Sequence, residues 1–405
     1  MRRVLLSAFA CDPVFGSDEE VGWQWARELS NRQFDVTVLT RKTHQKEIER
    51  HISETGECNK VRFEYIDIEW LYPLLSKINK RNHIYYYFWQ YWAYRRACQL
   101  QAKKAFDCVH HVTWVSFRQP SFMGGLNIPM IFGPVAGGDE VPAGYTQYFS
   151  LKQRLVERVR RLVNGLVRFD PLMRMTYRAA DKVFFTSAHH LKSVPAFVIP
   201  KARVELAIGS SGTDIAAPST VRKQQAGPRL LYAGRCLGWK GMDLGLRVFA
   251  EIYQARPDVT LTIIGDGVDR KRWEKTAHEL GVGHAVNWMG WLSKADVIKM
   301  YSEYDILFYP SLRDSGGFVV LEALQQGLPV ACLKLGGPGV VVDESCGVAV
   351  EAAYDIGKTI IDYRDSVLTL MDRISQEHNL SQQCQRRVRN FTWSALIERI
   401  YGSEY

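Results

Sequence analysis

The sequence predicts an α/β protein made of two halves, each a doubly wound parallel β-sheet. Short β-branched runs alternate with helical patterns in both halves of the 405-residue chain. Such alternation is typical of parallel sheets that helices cover on both faces. Residues 208–228 between the halves are rich in Gly, Ser, Thr, Ala and Pro, which indicates a linker.

The first half predicts six buried strands and two helices. The strands are residues 4–10, 36–40, 61–66, 108–112, 130–132 and 182–185, and the helices are residues 23–32 and 84–106. The apolar run 4–10 is short and meets Cys11, Asp12 and Pro13, so we expect a buried first strand here rather than a leader peptide. No stretch of the sequence approaches the roughly 18–20 apolar residues of a membrane span.

The second half repeats the pattern. Its predicted strands are residues 229–233, 260–264, 306–308 and 329–333, and its predicted helices are residues 242–254, 268–280 and 318–326. In open parallel sheets, ligands bind beyond the carboxyl ends of the strands. We therefore expect the functional residues directly after the strands, in a cleft between the two domains.

Composition and charge narrow the function classes. Apolar residues make up 46% and charged residues 23%, which is ordinary for a globular protein. The eight cysteines contain no Cys-x-x-Cys pair, which argues against zinc ribbons and thioredoxin-like sites and favours reduced thiols in the cytoplasm. The net charge is +9, and residues 1–200 carry all of the excess, with 28 Lys/Arg against 19 Asp/Glu. This asymmetry favours an anionic partner such as lipid headgroups, nucleic acid or a phosphorylated substrate.

Two loops of the second half carry residues suited to a phosphorylated ligand. Arg235 and Lys240 follow strand 229–233 and suit phosphate oxygens, although a solvated basic loop is the alternative. In the other loop, Asp314 precedes two glycines, and a helix start there offers free N–H groups to an anion. Glu322, further along that helix, can accept hydrogen bonds from vicinal hydroxyls such as those of a ribose. The alternative is a carboxylate that stabilises the helix start, followed by an ordinary helical Glu.

These motifs resemble glycosyltransferase family 4 in their order and spacing. The matching residues are Gly234-Arg235, Lys240-Gly241, Gly265-Asp266-Gly267, Gly290-Trp291, and Asp314 eight positions before Glu322. The resemblance is strongest over residues 229–350 and implies a retaining nucleotide-sugar transferase of the hexosyltransferase type. It also implies the GT-B fold, in which two Rossmann-like doubly wound domains face a central cleft. On this basis we expect an acceptor-side domain over 1–207, a linker over 208–228 and a nucleotide-sugar domain over 229–390, with residues 391–405 crossing back to the first domain.

The resemblance also implies roles for individual residues. Arg235 and Lys240 would bind the diphosphate, Glu322 the ribose, and Gly16 would bring its amide to the diphosphate from the first domain. Asp314 is expected at the donor sugar, where the family usually has Glu, so its reach is shorter by one methylene. A histidine that contacts the donor sugar is expected at His110 or His111, and a buried core histidine is the alternative for either. The remaining donor-binding residues implied are Gly265, Gly290, Trp291, Ser315, Gly316, Gly317 and Phe318.

The expected chemistry needs neither a metal nor a cofactor. The sequence has no Asp-x-Asp metal motif, and two side-chain cations with a helix start can stabilise the departing diphosphate. We therefore expect a metal-independent enzyme whose nucleoside-diphosphate sugar is the donor substrate.

Two basic segments indicate what kind of acceptor to expect. Residues 77–104 combine aromatic residues with Lys and Arg, and residues 151–169 combine a helical apolar pattern with six Lys/Arg. Basic amphipathic helices with neighbouring aromatics suit an anionic bilayer, whereas a helix packed on its own domain is the alternative. We expect a saccharide or lipid-linked acceptor in surface polysaccharide or glycolipid synthesis, and a cytoplasmic protein that is peripheral on the inner face of the membrane if the bilayer interpretation holds.

The sequence supports three other functions less well than glycosyl transfer. A nicotinamide or flavin enzyme would need Gly-x-Gly-x-x-Gly after a strand, but Gly265-Asp266-Gly267 lacks the third glycine. Another GT-B enzyme, such as a sugar-nucleotide epimerase, remains an alternative. A nucleic-acid-binding protein would need a base-reading motif that this sequence does not contain, so we expect no nucleic-acid partner.

Overall fold

A computed structural model describes residues 2–14, 16, 18–78, 83–211 and 227–402. The chain forms two compact units. The first contains Met1–Gly138, Leu162–Ala207 and Leu396–Tyr405, and the second contains Asp139–Arg161 and Ile208–Ala395. Most of the predicted linker, residues 212–226, lies outside the described residues.

The first unit is built on a seven-stranded sheet whose described pairings are all parallel. The strand order is β3-β2-β1-β4-β5-β6-β7. The strands are β1 (Arg3–Ala8), β2 (Asp35–Thr40), β3 (Arg62–Tyr65), β4 (Cys108–Thr113), β5 (Met130–Val135), β6 (Lys182–Phe185) and β7 (Ala202–Val204). The order reverses between β1 and β4, and in doubly wound sheets such a reversal is where ligands bind.

Helices cover this sheet and close its core. They are α1 (Asp18–Asn31), α2 (Gln45–Thr55), α3 (Tyr72–Ile78), α4 (His83–Lys103), α6 (Pro171–Ala179) and the end of α14 (Trp393–Tyr401), while α5 (Leu151–Leu166) is divided between the units after Arg161. Helix α4 buries Tyr85, Tyr86 and Trp89. The ring of Phe9, just beyond β1, lies edge-on to Tyr86 and Trp89, with centroids 5.3 and 5.1 Å away. The aromatic run that the sequence places in a helix therefore forms one side of the core.

The second unit repeats the plan with a six-stranded parallel sheet. Its strand order is β10-β9-β8-β11-β12-β13, which reverses between β8 and β11. The strands are β8 (Arg229–Ala233), β9 (Thr260–Ile264), β10 (Val286–Gly290), β11 (Ile306–Tyr309), β12 (Val330–Leu333) and β13 (Gly347–Val350). The helices are α7 (Met242–Ala255), α8 (Arg270–Glu279), α9 (Lys294–Met300), α10 (Phe318–Gln325), α11 (Gly336–Val341), α12 (Ile356–Gln376) and α13 (Leu380–Val388).

The structure adds edge strands that the sequence did not predict. Strands β7, β10 and β13 lie at sheet edges, and each is partly exposed. Arg203 in β7 and Asn287 in β10 interrupt the apolar run that marks a buried strand, whereas β13 is apolar throughout and could have been recognised. One domain assignment also differs. Residues 139–161 were expected in the first domain, but their contacts place them in the second unit, where Gln153 Nε2 donates to Asp269 Oδ2 at 2.7 Å.

Candidate active site

The candidate site lies where the strand order of the second unit reverses. Strands β8 and β11 pair directly, with Leu230 opposite Ile306, so the loops that follow them are neighbours. Gly241 allows these loops to touch: its φ is 74°, and a Cβ there would lie 1.9 Å from the Pro310 carbonyl oxygen. The amides of Leu312 and Arg313 donate to Trp239 O at 3.0 and 3.2 Å. The loop containing Lys240 is thereby joined to the loop containing Asp314.

The Asp314 carboxylate is the centre of this site. One oxygen accepts hydrogen bonds from Lys240 Nζ at 2.7 Å and from Tyr309 OH at 2.5 Å. The other oxygen accepts from the amides of Gly316 and Gly317 at 3.2 and 3.1 Å. The side chains of Lys240 and Asp314 are each 18% exposed. Lys240, Tyr309 and the residues leading into α10 thus form an environment for negatively charged oxygens.

The protonation states follow from this arrangement. Burial by itself raises the pKa of Asp314, but the charge of Lys240 and the hydrogen bonds from Lys240, Tyr309 and Gly316 outweigh it, so the pKa lies below its ordinary value. Burial, and then the neighbouring Asp314 charge, raise the pKa of Tyr309 well above its ordinary value. Asp314 is therefore ionised and Tyr309 is a protonated donor at neutral pH.

Glu322 lies in the second turn of α10, among residues that the sequence analysis did not single out. Tyr301 OH donates to Glu322 Oε2 at 3.2 Å, and Lys294 Nζ lies 3.4 Å from Oε1. Lys294 Nζ also lies 6.0 Å from the centre of the half-buried Phe318 ring. Lys294 and Tyr301 come from α9 and the turn after it, more than 20 residues before Glu322, so no local pattern could have connected them.

Three other predicted donor-binding residues are accessible. Arg235 is exposed, and its guanidinium makes no hydrogen bond or ion pair with the residues that the structure describes. Trp291 is 76% exposed, and Ser315 is partly exposed. An added ligand could therefore contact Arg235 without first breaking an ion pair.

Gly265 and Gly290 have a backbone packing role. The Gly265 amide donates to Gly290 O at 2.7 Å, and a Cβ on Gly265 would lie 2.0 Å from Gly234 O. These glycines therefore allow the carboxyl ends of β8, β9 and β10 to pack backbone against backbone. That packing fixes the start of the loop containing Arg235.

In the first unit, Gly16 and the two histidines lie near the reversal between β1 and β4. Gly16 is exposed, while its neighbours Phe15 and Ser17 lie outside the described residues. His110 is buried, and its Nδ1 lies 2.9 Å from Tyr401 OH and its Nε2 2.5 Å from Gly133 O. Desolvation lowers the pKa of His110 to about 4, although the bond to Gly133 favours the protonated form.

His111 points to the opposite face of β4, because side chains alternate along a strand. Its ring stacks on Phe132 with centroids 5.0 Å apart. Its ring nitrogens make no ordinary hydrogen bond within the described part of the chain. Desolvation and the neighbouring His110 lower its pKa to about 3, while the Trp114 backbone favours its protonated form. Contact with a donor sugar requires an accessible ring nitrogen, and neither His110 nor His111 has one in this structure.

Neither a metal cluster nor a membrane span is found in residues 2–14, 16, 18–78, 83–211 and 227–402. No group of three or more His, Cys, Asp or Glu side chains there is placed to hold a metal ion. None of the helices there has both the length and the apolar character needed to cross a bilayer.

Each of the two parallel sheets reverses its strand order once, as Rossmann-like sheets do. The candidate site for anionic oxygens lies at the reversal in the second sheet. Residues 217–381 match the model of the family described as glycosyl transferases group 1. The resemblance recognised in the sequence is thereby confirmed.

Curated relatives and solved structures agree with this assignment. The D-inositol 3-phosphate glycosyltransferase of Corynebacterium diphtheriae is 27% identical over 227 residues, which are 51% of this chain and 50% of that protein. The chain spans about half the length of the curated relatives it matches. The structure of HepE from Anabaena in complex with UDP has a TM-score of 0.62 at 14% identity and covers 99% of this chain and 98% of that one. The lipopolysaccharide outer core galactosyltransferase WaaB has a TM-score of 0.61 at 16% identity, with 99% of both chains covered. These structures confirm the predicted GT-B class of fold.

Proposed function

We propose that this protein is a retaining glycosyltransferase that moves a sugar from a nucleoside-diphosphate sugar to a saccharide or lipid-linked acceptor. The observation that carries the proposal is the Asp314 carboxylate, held between Lys240 and the amides of Gly316 and Gly317. This environment for anionic oxygens lies at the β8–β11 reversal, where a doubly wound unit binds its ligand. The complex of HepE with UDP, a protein of similar fold, supports a nucleoside diphosphate as the bound group.

The two cations in the β8 loop suit the departing group. During transfer the bond from the anomeric carbon to the phosphate oxygen breaks, and its electron pair remains on the diphosphate. The acceptor oxygen forms the new bond to that carbon, and the hydroxyl proton passes to the departing phosphate. Arg235 is exposed, and Lys240 lies in the same loop, so both can stabilise the charge that develops. With two such cations we propose a reaction that is independent of metal ions and cofactors.

Lys240 would bind a phosphate of the donor while it keeps its ion pair with Asp314. An ammonium group has three donor hydrogens, and two of them bond Asp314 and Tyr309 in this structure. The third can bond a phosphate oxygen of the donor. In this arrangement Asp314 keeps Lys240 directed into the site, and its other oxygen orders the loop before α10.

Glu322 is proposed to bind the ribose. Its carboxylate accepts a hydrogen bond from Tyr301 OH and pairs with Lys294, so it is ionised and held at a fixed place on α10. The 2′- and 3′-hydroxyls of a ribose present two donors on adjacent carbons, which a carboxylate can accept together. The ion pair with Lys294 holds the carboxylate in place for this contact.

We further propose an anionic membrane as the surface on which the enzyme works, because α5 has its apolar side chains on the outside. Leu151, Leu155 and Leu162 are 82%, 61% and 64% exposed. The opposite side of α5 packs on the protein and carries polar residues. Glu157 pairs with Arg313 at 2.6 Å, and these side chains are only 7% and 12% exposed.

A helix with this orientation suits a bilayer better than water. Its apolar face can enter the lipid boundary while basic side chains bind anionic headgroups. The basic residues of this segment are Lys152, Arg154, Arg158, Arg160, Arg161 and Arg168. This observation supports a peripheral location on the inner face of the cell membrane and a lipid-linked acceptor, as used in surface polysaccharide or glycolipid synthesis.

The proposal is tested with nucleotides and then with products. Thermal shift and calorimetry against UDP, GDP, ADP and their sugars should identify one nucleotide that binds, followed by transfer to an acceptor with retained anomeric configuration by NMR. If none of these compounds binds, or if the product has inverted configuration, the proposal is wrong. Conversion of the nucleotide sugar to its epimer without an acceptor would instead identify an epimerase.

A further inference from the structure

The first unit contains an apolar cavity between α4 and α6. Its volume is about 450 Å³. One wall is formed by Tyr91 and Tyr94 of α4 and the other by Leu172 and Met175 of α6. The base is formed by Ser121, Phe122, Gly124 and Gly125. None of the lining residues is charged, and the volume falls in the range of roughly 300–1,000 Å³ that is usual for small-molecule sites.

A hydrogen bond fixes Tyr94 at the base of the cavity, and the cavity reaches the surface. Tyr94 OH donates to Gly125 O at 3.2 Å, and a Cβ on Gly125 would lie 2.8 Å from that hydroxyl. A side chain at position 125 would displace the Tyr94 ring, so the glycine allows this packing. Tyr91, Leu172 and Met175 are exposed as well as lining the cavity, so its walls leave apolar area in contact with water. A hydrocarbon chain would cover this area.

The edge of the cavity carries a positive charge. The Arg95 guanidinium is exposed and donates to Tyr91 OH at 3.3 Å. The Tyr91 ring also lies 5.0 Å from the exposed Trp92 ring. Arg recognises phosphate oxygens, and tyrosine and tryptophan suit the boundary between hydrocarbon and water. An apolar cavity with Arg at its edge matches an amphiphile that has one hydrocarbon chain and an anionic head.

We propose that this cavity binds the hydrocarbon chain of a phosphate-bearing lipid, the lipid-linked acceptor, with its phosphate at Arg95. This inference deepens the proposed function and rests on it for the identity of the lipid as acceptor. The cavity fixes the lipid by its chain and its phosphate, so the sugar portion can vary without loss of this contact.

A chain-length series tests the cavity directly. Alkyl phosphates from butyl to dodecyl, each kept below its micelle concentration, are titrated into the protein by calorimetry. Each added methylene should tighten binding by about fourfold until the cavity is filled, after which affinity should level off. Inorganic phosphate should bind far more weakly than the longer alkyl phosphates. An affinity that does not change with chain length would overturn the proposal.

Matched variants locate the binding. Met175→Glu should weaken decyl phosphate binding at least tenfold, while Met175→Leu should bind like the wild type. Arg95→Gln should weaken decyl phosphate but not decanol, whereas Arg174→Gln, whose guanidinium lies 5.5 Å from the Phe197 ring, should change neither. Equal binding of decyl phosphate by Met175→Glu and Met175→Leu would place the ligand outside this cavity and overturn the proposal.

Two further measurements separate the possible failures. Nucleotide binding by Met175→Glu should equal that of the wild type, so the absence of nucleotide binding in every form would count against the proposed function alone. Sedimentation distinguishes a second copy of the chain as the occupant. A wild-type dimer that Met175→Glu converts to a monomer would assign the cavity to self-association and overturn the lipid proposal.

Discussion

Lys240 and Asp314, 74 residues apart, form an ion pair of 2.7 Å at the point where the second sheet reverses its strand order. The pair exists because β8 and β11 are neighbours and the loops after them touch at Gly241. The Asp314 carboxylate thereby connects the cationic loop to the start of α10. Asp in place of the Glu usual for the family reaches both Lys240 and the amides of Gly316 and Gly317.

The first prediction concerns Lys240. Lys240→Ala should weaken binding of the nucleoside diphosphate by roughly tenfold to 100-fold, since a hydrogen bond to a charged group contributes about 1.5–3 kcal/mol. Calorimetry measures the loss. Lys299→Ala is the matched control, because that lysine is 77% exposed and pairs with Asp296 at 3.4 Å. Unchanged nucleotide affinity in Lys240→Ala would contradict the diphosphate role.

The second prediction concerns the pH dependence of the ion pair. The pKa of Asp314 is lowered in the folded protein, so its contribution to stability is present above the unfolded pKa of about 3.9 and is lost as the pH falls through the folded value. The stability advantage of the wild type over Asp314→Asn should therefore be constant from pH 7 to pH 5 and shrink below about pH 4. Urea unfolding across this range measures it, and an advantage that grows on acidification would exclude the assigned protonation state.

The third prediction concerns ribose recognition. The wild type should bind the preferred nucleoside diphosphate more tightly than its 2′-deoxy form, because the proposed contact of Glu322 is with the vicinal hydroxyls of the ribose. Glu322→Gln should reduce this preference, with a loss of about tenfold for the ribonucleotide and little change for the deoxynucleotide. Paired titrations measure the difference. An undiminished preference in Glu322→Gln would remove the carboxylate from the ribose site.

The fourth prediction concerns His111. Its pKa of about 3 in the folded protein lies below the unfolded value of about 6.5, so only the unfolded state takes up this proton between those limits. This contribution to stability is present above pH 6.5 and declines as the pH falls toward 3. On acidification from pH 7.5 to pH 5, the wild type should therefore lose about 2 kcal/mol of unfolding free energy relative to His111→Phe. Urea unfolding at both pH values provides the comparison, and an equal stability difference at the two would refute it.

The fifth prediction separates the two faces of α5. Leu155→Ser should reduce binding to vesicles that contain anionic lipid, without a loss of stability beyond about 0.5 kcal/mol. Glu157→Ala should instead destabilise the protein by about 3–5 kcal/mol, because it leaves Arg313 without its buried partner. Vesicle sedimentation at low and high salt and urea unfolding measure the two effects. Wild-type binding that is indifferent to lipid charge and salt would argue against a membrane surface.

Sequence patterns located the loops but not the contacts within them. The glycines and charges after β8 and β11 could be recognised because their spacing along the chain is local. Tyr309, which donates to Asp314, is the last residue of β11 and lies one position beyond the predicted strand. The partners of Glu322 come from α9 and the turn after it, and no spacing rule connects them to α10.

The sequence by itself determined that the chain is an α/β protein with two parallel sheets, because β-branched runs and helical periodicity are local signals of burial. It also determined which loops carry cations, glycines and carboxylates. Only the tertiary structure decided that Asp314 pairs with Lys240, that both His110 and His111 are buried, and that α5 turns its leucines outward. These outcomes depend on which distant segments pack together, and a residue's pKa and exposure depend on those neighbours rather than on its position in the chain.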